Sequence, residues 1–370
     1  MQKRYLTDII TSDLNKKMVF LAGPRQVGKT TLGKQIIIEK RSYLNWDIPL
    51  HREQILKREL PTCDYLFFDE IHKYHQWRNY LKGIYDEFVG QKKILVIGSA
   101  RLDHYRYGGD SLQGRYHFHR LHPLSVAELK INNSSELQEL LMLGCFPEAF
   151  FASNMTEAKR WSREYRTRLI KEELTSLENI INLGTLELLA IRLPDLVGSP
   201  LSINSLREDL QVSFKTVANW LNIMEQLYMI FRLAPFETPK IRAIKKSQKH
   251  YHFDLIPIKE EGAKFENLVA LHLLKWVHFL QDTQGRDTEL RYFRDIDNRE
   301  VDFVVLEDHK PLYFIEAKLQ DTSITKGLKY LKQRFPEAKA YQIAANGTKD
   351  YISADGIRAC PAITFLRTLV

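Results

Sequence analysis

Cysteine is scarce in this chain: three among 370 residues, Cys63, Cys145 and Cys360. An odd, scattered set builds no disulfide framework and no zinc site, so a reducing, cytoplasmic setting is expected. Long apolar runs are missing too. None approaches the roughly 20 residues of a membrane span, and no signal-type apolar segment follows the basic start. No membrane partner is therefore expected. Internal repeats and low-complexity tracts are absent. Acidic residues fall short of basic ones, 46 against 54, leaving a formal charge of +8. That balance favours an anionic partner, nucleic acid first. The histidines His72 and His75, and the group His117, His119 and His122, have no partners at zinc-type spacing. They read as core or solvated residues. What is present, 44% hydrophobic and 27% charged residues, suits a globular chain long enough for two or three domains.

The most specific segment is GPRQVGKT, Gly23 to Thr30. It follows the apolar run Met18–Ala22 and precedes a helix-like stretch, Thr31–Lys40. Strand, glycine loop and helix in that order make a phosphate loop. Gly23 and Gly28 permit the tight turn. The backbone of Pro24, Arg25, Gln26 and Val27 can then face phosphate oxygens. Lys29 supplies a charge for the β- and γ-phosphates, and Thr30 a hydroxyl for Mg²⁺. Thr31 follows on the helix, whose positive dipole end faces the same anion. The implied ligands are ATP and Mg²⁺.

Hydrolysis needs a second acid for the metal and a group to prepare water. The run Tyr65–Phe68 ends in Asp69 and Glu70, which fit those two roles. A further buried run, Ile94–Ile97, ends in Gly98 and Ser99, and Ser99 is placed to sense the γ-phosphate. Tyr43–Trp46 reads as another strand. Strands alternating with helices predict a parallel sheet. Arg101, Arg106 and Arg115 follow the sensor strand. Arg115, after the Gly108–Gly109 turn, is the leading candidate to neutralise transition-state charge, in its own chain or a neighbour's.

From Asn154 to Leu189 the chain is polar and helix-favouring, with Arg160, Arg163, Arg166, Arg168 and Lys171 on a basic, solvated face. Ser202 caps a helix to Leu210, Gln211–Ser213 turns, and Lys215–Tyr228 forms a second helix. Val217, Trp220, Leu221, Met224 and Leu227 lie on its apolar face. A basic hairpin, 240–252, completes a winged helix-turn-helix. On DNA, Lys215, Thr216 and Asn219 would face base edges, and Lys245, Lys246 and Lys249 would meet phosphates. The alternative use of such a fold is protein contact.

Further on, Arg291–Asp295 and Glu300–Leu306 are strands flanking an Asp297–Asn298 turn, and Leu312–Lys318 is a third. Period two puts Glu316 and Lys318 on one face, with Asp302 on the adjoining strand. Glu266 sits at the start of an apolar helix. One helix acid, one strand acid and E-x-K give the pattern of a PD-(D/E)xK nuclease core. Glu266, Asp302 and Glu316 would bind Mg²⁺ or Mn²⁺, with Lys318 as the catalytic lysine.

GPRQVGKT, FFDEIH, GSA, SLQGRY, LHPLSVAE and GCFPE together resemble prokaryotic AAA-type ATPases that carry a C-terminal domain of unknown function. Cys145 stands where that family more often has glycine. The resemblance implies an ATPase whose C-terminal domain is nuclease-like. The expected class is α/β: an AAA-type P-loop module over 1–150, a helical linker and winged helix over 151–255, and a restriction-endonuclease-like domain over 256–370. The leading expectation is ATP hydrolysis that switches the C-terminal half on DNA. The alternatives are an ATP-gated nuclease and a nucleotide-switched protein-binding module. Candidate partners are DNA, another protein and a second copy of the chain.

Overall fold

The computed structural model describes residues 3–98, 112–152, 154–174, 183–236 and 247–370. They divide into two compact units, Met1–Pro123 and Leu124–Val370. No helix among the described residues is long and apolar enough to cross a membrane.

The first unit is built on a sheet of five strands: β1 (Met18–Ala22), β2 (Tyr43–Asn45), β3 (Tyr65–Asp69), β4 (Lys93–Ile97) and β5 (Tyr116–Arg120). Their order is β2-β3-β4-β1-β5, and every pairing is parallel. A parallel sheet is covered on both faces, so its strands are continuously apolar; all five residues of β1 are buried. One face packs Phe20, Leu66, Phe68 and Val96 against Trp77, Leu81 and Ile84 of the helix Trp77–Phe88. The helix Lys29–Ile36 approaches the sheet closely at Gly33, where a Cβ would strike the Phe67 ring. This helix begins two residues before the expected Thr31 and ends before Lys40. Gly28, left-handed at φ 98°, lets it start at Lys29. The run of β-branched residues Ile36, Ile37 and Ile38 resists a helical continuation, and Ile37 is already extended.

Residues 124–150, expected within the first domain, belong to the second unit. Ser125 and Glu128 form a capping box, and the Val126 N–H donates to His272 Nε2 over 2.9 Å. Buried Lys275 pairs with Glu128. Helices Ile203–Leu210 and Phe214–Gln226, capped by Ser202 and Ser213, are joined by a turn with Gln211 at φ 54°. Val217, Trp220, Leu221, Met224 and Leu227 are buried as the periodicity requires. Strands β6 (Ile230–Leu233) and β7 (Lys249–His252) then pair antiparallel, Leu233 opposite Lys249. Lys245 and Lys246 lie outside the described residues.

The remaining strands are β8 (Thr288–Arg294), β9 (Glu300–Glu307), β10 (Lys310–Lys318), β11 (Lys339–Ala344), β12 (Tyr351–Ile352) and β13 (Ile357–Pro361). They form a mixed sheet in the order β12-β13-β11-β10-β9-β8. The expected turn at Asp297–Asn298 is present, with Asn298 at φ 57° and Asp295 Oδ1 accepting from the N–H groups of Asp297 and Arg299. The helix Glu261–Gln284 packs against β8 and β10.

Candidate functional site

The phosphate loop lies at the C-terminal end of β1, between β4 and β5. Gly23, at φ 138°, is irreplaceable on steric grounds, because a Cβ would run into the Leu121 carbonyl. Gln26 also takes a left-handed backbone, φ 59°. The Lys29 ammonium donates to the carbonyls of Gly23 (2.9 Å) and Pro24 (2.6 Å), closing the loop on itself. Arg25 is partly exposed, Val27 is buried and Thr31 is exposed.

Thr30 Oγ1 donates to Asp69 Oδ2 over 3.1 Å, which brings the loop and the end of β3 together. Burial raises the Asp69 pKa; hydrogen bonds from Tyr43 and Thr30 oppose that shift. A buried carboxylate beside a threonine hydroxyl at a phosphate loop is a donor set that suits Mg²⁺. Glu70 follows with a left-handed backbone, φ 56°, and its Oε2 stands 3.4 Å from Lys73 Nζ and 3.6 Å from His72 Nε2.

Two groups here carry no motif. Tyr43 OH donates to the same Asp69 oxygen over 2.7 Å and accepts from Asn45 Nδ2 over 3.0 Å. Buried Arg4 donates from Nη1 to the Val27 carbonyl (2.8 Å) and from Nη2 to the His122 carbonyl (2.5 Å). It therefore ties the loop to the chain leaving β5. Neither role has a local sequence signal, since Asp69, Val27 and His122 lie 23 or more residues away along the chain.

Arg115 requires a correction. It precedes β5, whose first residue, Tyr116, pairs with the first residue of β1. That is the opposite end of the sheet from the phosphate loop. Its guanidinium is bound to Asp86 at 2.8 Å and 3.2 Å. Arg115 is thereby excluded from the nucleotide site of its own chain. Ser99, Arg101 and Arg106 lie outside the described residues.

In the second unit Lys215 is exposed and Thr216 half-buried; Asn219 is half-buried too. Lys249 departs from expectation altogether. It is 1% exposed, with Nζ 2.6 Å from Glu300 Oε1, 3.3 Å from Glu266 Oε1 and 3.8 Å from Asp302 Oδ1. A lysine buried within a paired strand points into the fold and not to a phosphate outside it. Burial opposes its charge, but Glu266, Asp302 and Glu300 outweigh burial and raise its pKa.

Of the expected nuclease residues, Glu266 and Asp302 border it, and Glu316 stands beside Asp302, whose N–H lies 3.4 Å from Glu316 Oε2. Glu266 comes from the helix and Asp302 from β9, while Glu316 and Lys318 share one face of β10. Lys318 Nζ is 2.7 Å from Glu316 Oε1, and the Ala317 N–H donates to Asp302 Oδ2 over 2.9 Å. Tyr251 OH donates to Glu266 Oε1 over 2.7 Å. Burial, then the Asp302 charge, raises the pKa of both Glu266 and Glu316. As a metal centre, however, the set does not fit. Among the described residues no three His, Cys, Asp or Glu side chains are grouped so as to hold an ion. The Lys249 ammonium lies among Glu266, Glu300 and Asp302, and Glu316 is paired instead with Lys318.

Residues 15–130 match a family model described as an AAA domain. Residues 134–255 and 261–365 match two domains of unknown function, DUF8612 and DUF4143. Uncharacterized proteins of Mycobacterium bovis and Mycobacterium tuberculosis are each 23% identical over 371 residues, covering 95% of this chain and 81% of theirs. Among solved structures, the Aeropyrum pernix ORC1 protein in complex with DNA aligns at TM-score 0.33 and 12% identity, over 72% of this chain and 93% of that one. With the matched domain and the loop geometry taken together, the N-terminal unit is an AAA-type P-loop ATPase module.

Proposed function

We propose that the chain is an ATP-hydrolysing switch whose ATPase module drives a winged-helix and PD-(D/E)xK-like C-terminal half acting on DNA. The observation that carries hydrolysis is the approach of Thr30 to Asp69 at the mouth of the phosphate loop, with Glu70 the next residue. Loop N–H groups from Gly23 to Gly28 hold the phosphates. Lys29 exchanges the Gly23 and Pro24 carbonyls for β- and γ-phosphate oxygens. Thr30 and Asp69 hold Mg²⁺, which when bound neutralises phosphate charge. Glu70 polarises the attacking water, and Tyr43 fixes the Asp69 carboxylate. Arg115, remote from its own site, is available only to a neighbouring copy.

Support for DNA comes from the second unit. Lys215 is exposed at the start of the second helix of the helix-turn-helix. Arg160, Arg163, Arg168 and Lys171 line an open groove of about 770 Å³ along the helix Met155–Arg168 and the turn that follows. Guanidinium and ammonium groups along a groove suit a phosphate backbone and read no sequence. The test is ATP turnover with and without DNA, alongside DNA retention at low salt. Retention and an altered turnover support the proposal. Absence of both would assign this half to a protein partner.

A further inference from the structure

We propose that Lys249 is the resident cation of the Glu266, Glu300 and Asp302 cluster, taking the place of a divalent metal as the charge partner of Glu266 and Asp302. The cluster is then a metal-independent joint that fixes β7 to the six-stranded sheet. The inference concerns the second unit alone and is independent of the ATP reading.

Three observations carry it. First, the nitrogen is held by geometry. Three carboxylates from two different elements surround it within 2.6–3.8 Å, and the Tyr292 ring centroid lies 5.5 Å away. An ammonium is a compact charge with three donors; the Glu300 and Glu266 oxygens lie within hydrogen-bond reach, and Asp302 adds its charge at 3.8 Å. Magnesium needs oxygens at about 2.0–2.1 Å in an octahedron and keeps several waters, and a tethered cation beside Glu266 and Asp302 already compensates the charge that would draw it.

Second, one oxygen of each of the motif's three acids is already engaged. Glu266 Oε1 accepts from Tyr251 and Lys249, Asp302 Oδ2 from the Ala317 N–H, and Glu316 Oε1 from Lys318. Third, the backbone seals and anchors the site. Segment 198–201 runs against β7, with Pro200 bridged antiparallel to Lys249 and the Leu201 N–H donating to the Gln248 carbonyl over 2.8 Å. Gly198, at φ 77°, lies so close that a Cβ would stand 3.0 Å from Glu266 Oε2. On its other side β7 is paired with β6, Lys249 opposite Leu233. The lysine therefore comes from a strand held on both edges, and its withdrawal would require that strand to move.

The test is Mn²⁺ titration of the nucleotide-free full chain, followed by the decline of the free-ion paramagnetic resonance signal. Wild type and Asp302→Asn are expected to bind Mn²⁺ identically, with no site that the substitution removes. Lys249→Met, which nearly keeps the length of the side chain and deletes its charge, is expected to gain one site. Its affinity should exceed that of any wild-type site in the second unit by tenfold or more, and the site should disappear in Lys249→Met with Asp302→Asn. One Mn²⁺ bound by wild type and absent in Asp302→Asn would overturn the proposal, as would a folded Lys249→Met that gains nothing. Should Lys249→Met fail to fold, the comparison of wild type with Asp302→Asn decides alone.

Discussion

Replacing Arg4 by alanine should loosen the phosphate loop without touching its motif. Arg4 is 6% exposed, and its guanidinium binds the backbone carbonyls of Val27 at 2.8 Å and His122 at 2.5 Å. Because a peptide unit is planar and trans, holding the Val27 carbonyl toward Arg4 turns the Gly28 N–H the other way. Hydrogen bonds to a charged group contribute about 1.5–3 kcal/mol each, so two give roughly 3–6 kcal/mol, less whatever water recovers in the vacated space. A net loss of about 3 kcal/mol should lower the melting temperature of the first unit by roughly 12 °C, taking about 4 °C per kcal/mol for a unit of this size. Misdirecting one amide that serves a phosphate costs about 1.5 kcal/mol more, or roughly tenfold in ATP affinity. Scanning calorimetry and ATP titration well below the transition separate the two effects. Arg4→Lys, able to reach one carbonyl, should recover part of both. A melting temperature and an ATP affinity both equal to wild type in Arg4→Ala would refute the reasoning.

Acid should destabilise the second unit through neutral imidazoles. Burial lowers the pKa of His250 and His272 to about 4. His272 accepts from the Val126 N–H at Nε2, and Nδ1 hydrogen-bonds the Leu268 carbonyl, so a proton on Nε2 would face a donor. The folded values lie below the unfolded one of about 6.5, so this stability is complete above that pH and declines as pH falls toward 4. The limit is about 3 kcal/mol per ring. Melting followed from pH 7.5 to 5 should show His272→Leu less stable than wild type at pH 7.5 yet with a shallower acid decline; parallel curves would contradict this. On DNA, changing Arg160, Arg163 and Lys215 together to alanine should reduce the slope of log affinity against log salt by roughly 0.9 for each phosphate no longer neutralised. An unchanged slope would remove these residues from the interface.

The phosphate loop is legible in sequence because its chemistry is local. Gly23, Gly28, Lys29 and Thr30 lie within one short segment, and the flanking strand and helix have their own periodicities. Asp69 is equally readable at the end of a buried run. The E-x-K pair and the turn at Asn298 follow from period two and from turn chemistry. Lys249 misleads because its neighbours in sequence, Lys245 and Lys246, make a basic run that resembles a solvated wing. Only the strand pairing turns it inward, toward acids contributed by a helix and by β9. The signal available in sequence is the run of Lys249, His250, Tyr251 and His252 leading into the apolar Phe253, which suits a buried strand better than a solvated wing tip. Arg115 misleads for a related reason: the glycine before it suggests a loop, but strand register, invisible in one sequence, puts it at the far end of β5. Arg4 and Tyr43 carry no motif and act through partners that only the fold brings near.

The central claim, that Lys29, Asp69 and Glu70 make a working ATPase site, is tested most directly by ATP binding and turnover in wild type, Lys29→Ala and Glu70→Gln under identical Mg²⁺. Wild type should bind and hydrolyse ATP. Lys29→Ala should lose binding with the phosphate-facing charge, and Glu70→Gln should bind as wild type does while turnover falls at least about a hundredfold, within the range for a general base. Equal turnover in all three proteins would contradict the account.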